Sequence, residues 1–469
     1  MKIEIKNLGP ISKFTFDVDK DLHLIYGKNS VGKSYAIYCV YILLKKFHNS
    51  SSVNIDSLRN INPSFKITMD DVYQKIKNIA DEKRGKKVAV GKELNAILTI
   101  FFNNIFSDEL TESFNNTFSS LKTLTNIYSN KDLEIKIESN GFSVLLHIDK
   151  FGKIVAKKFS VNIPLKVIKT NSQNTFKILL SKNDILFWKL ESDYDFGTVL
   201  IKLILVFTAS YKIDQINFLP SSRSGLYLGL NSFAPIIAEL SKHRFQLKSK
   251  IELPSISEPI SDYFIPLASA NSKKVNKQFE LIVKRIEDQI LLGSVSIDNE
   301  NKKILFQPKG TSLNLDLSVT SSMVSEIAPI VTYLKHIISV PQDVKKSVLD
   351  KYTDEKEQSV RKSIIFIEEP EAHLHPEIQV KLMEIFAELT NHNMKVVITS
   401  HSNYMFNKLV NMIIGKNVDV NKVVVNNMVM TKAGSVIDEN MTVSEEGIDD
   451  FNFSETSEKL YEERMNIIE

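Results

Sequence analysis

Three short segments carry side chains whose types and spacing suit one chemistry, the handling of a nucleoside triphosphate. The first is Gly27, Lys28, Asn29, Ser30, Val31, Gly32, Lys33 and Ser34, which fits the pattern G-x-x-x-x-G-K-[ST]. Its glycines let the backbone curl around a phosphate without a Cβ in the way. Its amides and the start of a following helix present partial positive charge to the anion. Lys33 is expected to reach the β- and γ-phosphates, and the Ser34 hydroxyl to bind Mg²⁺. The second segment is Ile364-Ile365-Phe366-Ile367-Glu368-Glu369-Pro370-Glu371. There an apolar strand ends in adjacent carboxylates. Glu368 is assigned to the metal shell and Glu369 to the base that orients and deprotonates the attacking water. The third is Val396-Val397-Ile398-Thr399-Ser400-His401-Ser402. It delivers His401 at the carboxyl end of another apolar strand, where open α/β sheets bind ligands. His401 is assigned a hydrogen bond to the γ-phosphate, and so a means of sensing its loss.

These side chains need a sheet to hold them. Lys2–Lys6 and Lys13–Val18 alternate as strands around Gly9-Pro10, and Leu22–Tyr26 runs into the glycine-rich turn. A helix is expected from about Lys33 to Phe47. Residues 48–132, rich in Asn, Ser and Lys, read as a helical insertion with helices near 69–80 and 92–105. The basic turn Asp81–Glu93 within it reads as a solvated surface. Residues 133–220 hold a β-meander (Leu133–Glu138, Phe142–Asp149, Ile154–Val161, Pro164–Lys169), turning at Asn140-Gly141 and Gly152. A helix near 196–211 and the strand Gln215–Leu219 follow. Residues 221–300 read as a helical subdomain, with Val275, Phe279, Ile282, Ile286 and Ile290 on one face of a helix. Residues 301–443 start with strands at Lys303–Gln307 and Leu313–Leu317 and a helix from about Ser322 to Ile338. They then alternate as α/β: strand Ser363–Ile367, helix Pro376–Leu389, strand Met394–Thr399, helix 403–414 and strand Lys422–Met430. Residues 444–469 form a tail with nine acids and two bases, so it carries −7 and the remainder +10.

The composition excludes several classes. Of 469 residues, 43% are hydrophobic and 25% charged, which is a globular balance and not that of a disordered, collagen-like or disulfide-stapled chain. A net charge of +3 does not by itself mark a nucleic-acid binder. Cys39 is the only cysteine, so no intrachain disulfide can form, which fits a reducing compartment; it reads as core. The start MKIEIKNLGP lacks a signal-peptide core. The most apolar runs, Tyr35–Leu44 and Val199–Ala209, fall short of the ~20 residues that span a bilayer. The expectation is a cytoplasmic protein not integral to a membrane.

In this order, GKNSVGKS, EEPEAHLHP (Glu368–Pro376) and ITSHS (Ile398–Ser402) resemble an ABC-type ATPase head, in the soluble branch of RecF, SMC and Rad50 heads. They also resemble the ATPase half of overcoming-lysogenization-defect (OLD) proteins and the ATPase subunits of anti-phage systems such as PARIS and abortive infection. The resemblance rests on about residues 1–45 and 310–440. It implies an α/β fold: an ABC-type P-loop ATPase head with an antiparallel β-subdomain and a helical insertion. It also implies ATP and Mg²⁺ as ligands and a head-to-head homodimer that sandwiches nucleotide, with higher oligomers built from such dimers. In the family a signature segment acts on the nucleotide of the second subunit. Its counterpart here is Ser321-Ser322-Met323-Val324-Ser325-Glu326, in which Ser321 or Ser322 takes the γ-phosphate and Met323 stands where a glycine is usual. Phe218–Gly225 (FLPSSRSG) resembles a family segment in which Arg223 either contacts nucleotide or braces the head. His373 and His375 with Glu371 have the composition of a metal site, but the family context places this loop at the dimer interface.

The resemblance points to a sensor or scaffold that holds and then releases or activates a separate effector, a nuclease or toxin, in response to a phage-encoded trigger. Only 100 residues follow Glu369 and they hold no acidic nuclease cluster, so a nuclease is expected on another polypeptide. The alternative from the same branch is a DNA-repair ATPase with DNA as its partner. No heptad run for a long coiled-coil arm appears. A transporter ATPase subunit fits less well, because the glycine-rich signature is missing and the middle insertion is large.

Overall fold

The computed structural model describes residues 1–49, 63–139, 142–161, 165–169, 176–180, 185–190, 213–229, 256–273, 275–339, 362–439, 441, 443–448 and 454–468. The expected helix near 196–211, the run Val199–Ala209 and the turn at Asn140-Gly141 lie outside them. The chain divides into two compact units. One holds Met1–Val18, Cys39–Ile213 and Pro341–Arg361; the other holds Asp19–Tyr38, Asp214–Val340 and Lys362–Glu469.

The second unit is built on the strands that the apolar runs predict. Lys362–Glu368, Met394–Ser400, Leu22–Gly27 and Val423–Thr431 lie side by side in that order, each parallel to the next. Ile213–Leu219 flanks Lys362–Glu368, and Gly434–Ile437 returns antiparallel to Val423–Thr431. Runs such as IIFI and VVIT have no polar alternation because both faces of such a sheet are covered. Every residue of Met394–Ser400 and of Leu22–Gly27 is buried. The register fixes the site. Glu368 pairs with Thr399, Ser400 with Tyr26, and Met428 with Gly27, so the phosphate loop, Glu369 and His401 all leave the sheet at its carboxyl end.

The helices Pro376–Leu389 and Asn403–Ile414 are started by local chemistry. Proline stands at the first helical position of one, where its missing N–H is no loss. The Ser402 hydroxyl accepts from Met405 N at 3.1 Å in the other, as an N-cap does.

Gly27 shows why the loop begins with glycine. Its φ is +145°, and an added Cβ would stand 2.4 Å from the Met428 carbonyl oxygen on the neighbouring strand. The obstructing atoms are all Met428 backbone, which cannot give way as a flexible side chain can. Gly27→Ala is therefore expected to strain the loop by roughly 1–3 kcal/mol. The check is a lower thermal midpoint together with weakened ATP binding; an alanine variant that matches wild type in both contradicts this account.

Elsewhere in this unit the helical expectation for 221–300 needs correction. Helices occur at 223–229, Glu258–Ser269 and Glu280–Ile286, but Gly293–Asp298 is a strand. It pairs antiparallel with Lys303–Pro308, which pairs in turn with Leu315–Asp316. The expected strand Leu313–Leu317 shrinks to those two residues, because Asp316 caps a 3₁₀ turn at Leu317–Val319. The expected face of Phe279, Ile282, Ile286 and Ile290 is buried, whereas Val275 precedes the helix and is exposed.

In the first unit the opening strands Lys2–Leu8 and Ile11–Asp17 join Glu134–Glu138, Phe142–Ile148 and Ile154–Val161 in one antiparallel sheet. Ile3, Ile5, Phe14, Phe16, Ile135, Ile137, Val144 and Leu146 fill its buried face, as period-2 alternation requires. Its edge strand is closed by side chains from the helix Gly91–Phe118. The Thr111 hydroxyl accepts from Ile154 N, Asn103 exchanges two hydrogen bonds with the Ala156 backbone, and the Thr99 hydroxyl accepts from Phe159 N. That removes the bare edge that would otherwise template further pairing.

The insertion 48–132 is not wholly helical. Val88–Ala89 pairs with Leu165–Lys169 in a second, four-stranded sheet that includes Phe176–Leu180 and Ile185–Leu190. Leu165–Lys169 thus leaves the expected meander. The basic turn is tied down, with Asp81 taking Lys169 at 2.5 Å and Arg84 at 3.5 Å. In the tail, Ser454–Ile468 forms a helix whose residues 458–468 are exposed. Among the described residues, no helix is long and apolar enough to cross a membrane.

Candidate nucleotide site

The phosphate loop leaves its strand at Gly27 and enters the helix Lys33–Asn49. Ser30 and Gly32 adopt positive φ, at +65° and +90°. Lys28, Asn29 and Ser30 are exposed, while Val31 is 4% exposed and pins the loop to the core. Lys33 folds back into its own loop. Its ammonium donates to the carbonyls of Gly27 at 3.1 Å and Lys28 at 3.0 Å. Burial pushes Lys33 down to about 8, because removing an ammonium from water penalises its charged form.

Glu368 and Glu369 are neighbours with opposite environments. Glu368 is 2% exposed, and burial pushes its carboxyl up despite hydrogen bonds from Ser34 and Tyr38. The Tyr38 phenol donates to its Oε2 at 2.9 Å. Tyr38 is a site residue that the motifs do not reveal. Its one signal is the i+4 spacing from Ser34, which puts both hydroxyls on the same face of one helix. Glu369 is only half buried, in the left-handed region at φ +41°. Its Oε1 lies 3.4 Å from His401 Nε2, and that contact holds its carboxyl below the usual range.

The His401 ring stands between two charges. Nδ1 is 3.4 Å from Lys33 Nζ, and Nε2 faces Glu369. An ammonium can only donate, so Nδ1 is the acceptor and Nε2 carries the proton directed at Glu369. The structure therefore brings Lys33, Ser34, Glu368, Glu369 and His401 together.

Arg223 is fully buried, and its partners are main-chain carbonyls and one carboxylate. Its guanidinium donates to the carbonyls of Pro220 at 3.0 Å, Glu368 at 2.8 Å and Glu326 at 3.0 Å, and to Glu369 O at 3.5 Å. It also pairs with the Glu326 carboxylate at 3.2 Å. Glu326 closes the serine segment. Its buried carboxylate accepts from the Ser224 hydroxyl at 2.6 Å as well.

Ser321 and Ser322 are exposed at the start of the helix Ser322–Thr332. Among the described residues, no hydrogen bond ties either side chain to the Lys33–Glu369 group. Ser321 caps its own helix through Val324 N at 3.4 Å. His373 and His375 are exposed, and His375 Nδ1 accepts from Glu377 N.

A model of the AAA ATPase domain family matches residues 1–406. The chain belongs to this family. It is an ATP-hydrolysing enzyme, and the cluster around Lys33 is its candidate nucleotide site. No curated protein matches the chain. Three solved structures are similar in outline. One is an SMC head bound to the C-winged helix domain of ScpA, with 10% identity, a TM-score of 0.39, and 93% of this chain and 96% of that one covered. Another is the SMC head domain from Thermotoga maritima, with 10% identity, a TM-score of 0.34, and coverage of 93% and 97%. The third is an Smc head domain with an extended coiled coil bound to the C-terminal domain of ScpA derived from Pyrococcus furiosus. It shows 12% identity, a TM-score of 0.34, and coverage of 99% and 98%. Likenesses this slight carry no argument about this ATPase.

Proposed function

We propose that this ATPase works as an ABC-type head, two copies of which enclose two ATP molecules. The observation that carries the reading is the division of labour at the end of one strand. A buried carboxylate, Glu368, is engaged by Ser34 and Tyr38, and an accessible one, Glu369, is kept ionised beside His401. Triphosphate replaces the loop carbonyls as the partner of Lys33. Ser34 and Glu368 offer only oxygen donors, which suits Mg²⁺; when bound, that ion neutralises charge building on the β- and γ-oxygens. Glu369 takes the proton of the water that attacks the γ-phosphorus. The bond to the β,γ-bridging oxygen breaks, and ADP leaves with the electron pair. In this reading the Nε2 proton of His401 turns from Glu369 to a γ-phosphate oxygen.

Ser321 and Ser322 complete the site of the opposite copy in this reading. Their exposure at a helix N-terminus supports it, since such an end attracts anions. The domain plan goes with it: 1–47 and 301–443 as the halves of the head, 48–132 and 221–300 as insertions, 133–220 as the meander with head strands, and 444–469 as the acidic tail. The motifs EEPEAHLHP and ITSHS support placing the dimer in anti-phage defence, where it holds an effector subunit and releases or activates it.

A mixing experiment tests the shared site. Lys33→Ala removes phosphate binding but leaves the serines; Ser322→Arg blocks the serines but leaves the phosphate loop. Each alone is expected to lose at least about tenfold in phosphate release. Mixed dimers regain one intact composite site, so activity should return on mixing. A mixture as inactive as its parts would mean that each copy works alone.

A further inference from the structure

Glu371 stands two residues beyond Glu369 and has no part in the steps above. Its Oε1 accepts two hydrogen bonds from the histidine loop: one from the backbone N–H of His401 at 2.5 Å and one from the Ser400 hydroxyl at 2.8 Å. Its own backbone is fixed by the turn, in which Ala372 N donates to Glu369 O and Leu374 N to Glu371 O, both at 3.1 Å. Its Oε2 is buried without a hydrogen-bond partner. His401 is the first residue past its strand, so the ladder no longer serves its N–H, and a partly buried amide needs an acceptor. Glu371 supplies it.

The ring of His401 has weaker anchors. Its contacts to Lys33 and Glu369 are 3.4 Å each, long for hydrogen bonds that must hold a ring. The backbone at 401 therefore sets where the ring points. The loop has a second tie one residue on, where the Ser402 hydroxyl meets Gln379 Oε1 at 2.5 Å and Gln379 Nε2 donates to Leu374 O at 2.8 Å. Ser402 is the residue that caps the helix Asn403–Ile414; the tie at Glu371 holds His401 itself.

We propose that Glu371 is a positioning residue, whose Oε1 anchors the His401 backbone to the carboxylate loop and so aims the imidazole between Lys33 and Glu369. This rests on the reading of His401 as the group that meets the γ-phosphate. The anchor fixes the distance between two loops, one bearing the base and one bearing the histidine, which the sheet alone leaves to separate strand ends.

The test uses the full chain, steady-state phosphate release and binding of a fluorescent ATP analogue. Glu371→Ala is expected to lower kcat about 10- to 100-fold, the scale of an ångström of misplacement, with KM and analogue affinity within about threefold of wild type. Glu371→Gln keeps an oxygen that can accept both hydrogen bonds and should restore most of the rate. In a His401→Ala background, Glu371→Ala should add less than about twofold, because both changes remove the same aimed ring. If Glu371→Ala does not fold, Glu371→Asp, which draws the carboxylate back by one carbon–carbon bond, serves in its place. Full activity in a folded Ala or Asp variant, a Gln variant as slow as Ala, or losses that multiply in the double variant each overturn the inference. Should His401→Ala itself hydrolyse ATP at the wild-type rate, the reading of His401 falls and takes this inference with it. A crippled His401→Ala beside an active Glu371→Ala overturns the inference alone.

Discussion

Glu369→Gln is expected to lower kcat for ATP hydrolysis about 10²- to 10⁴-fold, the range for losing a general base, while ATP remains bound. The amide keeps the size of the side chain and can still accept from His401 Nε2, but it cannot take a proton. Glu368 cannot substitute. It is 2% exposed, and its Oε2 is occupied by the Tyr38 phenol. Burial also pushes its carboxyl above the usual range. Glu369 is the opposite case, ionised at neutral pH and open to water, with His401 holding its carboxyl low. Single-turnover phosphate release and sedimentation in ATP check this together. The variant should bind one ATP per chain, release almost no phosphate and sediment as a dimer. Hydrolysis at more than about a tenth of the wild-type rate would place the base elsewhere. The trapped form is also the right bait in the native host. A co-purifying nuclease-like or toxin-like subunit is the expected catch; DNA with no protein partner would favour the repair-type alternative.

The parts of this site that the sequence discloses are those whose signal is local. Ile364–Ile367 and Val396–Thr399 are continuous apolar runs, and a strand covered on both faces leaves that trace with no other element needed to read it. The phosphate loop and the carboxylate pair are contiguous in the chain, so spacing alone finds them. What stays hidden depends on distance in sequence. Arg223 meets Glu326 from 103 residues away and Glu368 from 145 away. No pattern within FLPSSRSG says whether that arginine faces a ligand or the core. Tyr38 lies in an apolar helix, YAIYCVYILL, where every aromatic looks like packing. The strand Gly293–Asp298, GSVSID, is missed for a different reason: its serines and glycine are weak strand formers, and only pairing with Lys303–Pro308 makes it one. Glu371 shows how composition can mislead. Two histidines nearby suggest a metal ligand, whereas its oxygen is spent on the amide of His401.

Arg223→Ala is expected to cost about 3–5 kcal/mol in stability, the scale for removing one partner of a buried ion pair. The pair is dry, with the two side chains 0% and 1% exposed. Deleting the guanidinium leaves the Glu326 carboxylate buried with the Ser224 hydroxyl and the backbone amides of Arg223 and Ser224 to hold it. It also removes a donor from the carbonyls of Pro220, Glu368 and Glu326. Glu326→Gln is expected to cost less, because an amide oxygen still accepts from Ser224 and Arg223 keeps its backbone acceptors. Arg223→Lys should fall between, since one ammonium cannot span the acceptors a planar fork reaches. Urea unfolding followed by tryptophan and circular-dichroism signals gives the order; an Ala variant within about 1 kcal/mol of wild type would mean that the pair contributes no more than a surface one. The same arginine ties stability to catalysis. It is bonded to the carbonyl of Glu368 and approaches that of Glu369, whose backbone is held in the left-handed region at φ +41°. Such a conformation persists only when its surroundings over-determine it. Arg223→Ala, assayed at a temperature where it is still folded, should therefore lose kcat as well as stability. Glu326→Gln, which leaves those two carbonyls their donor, should lose much less of it.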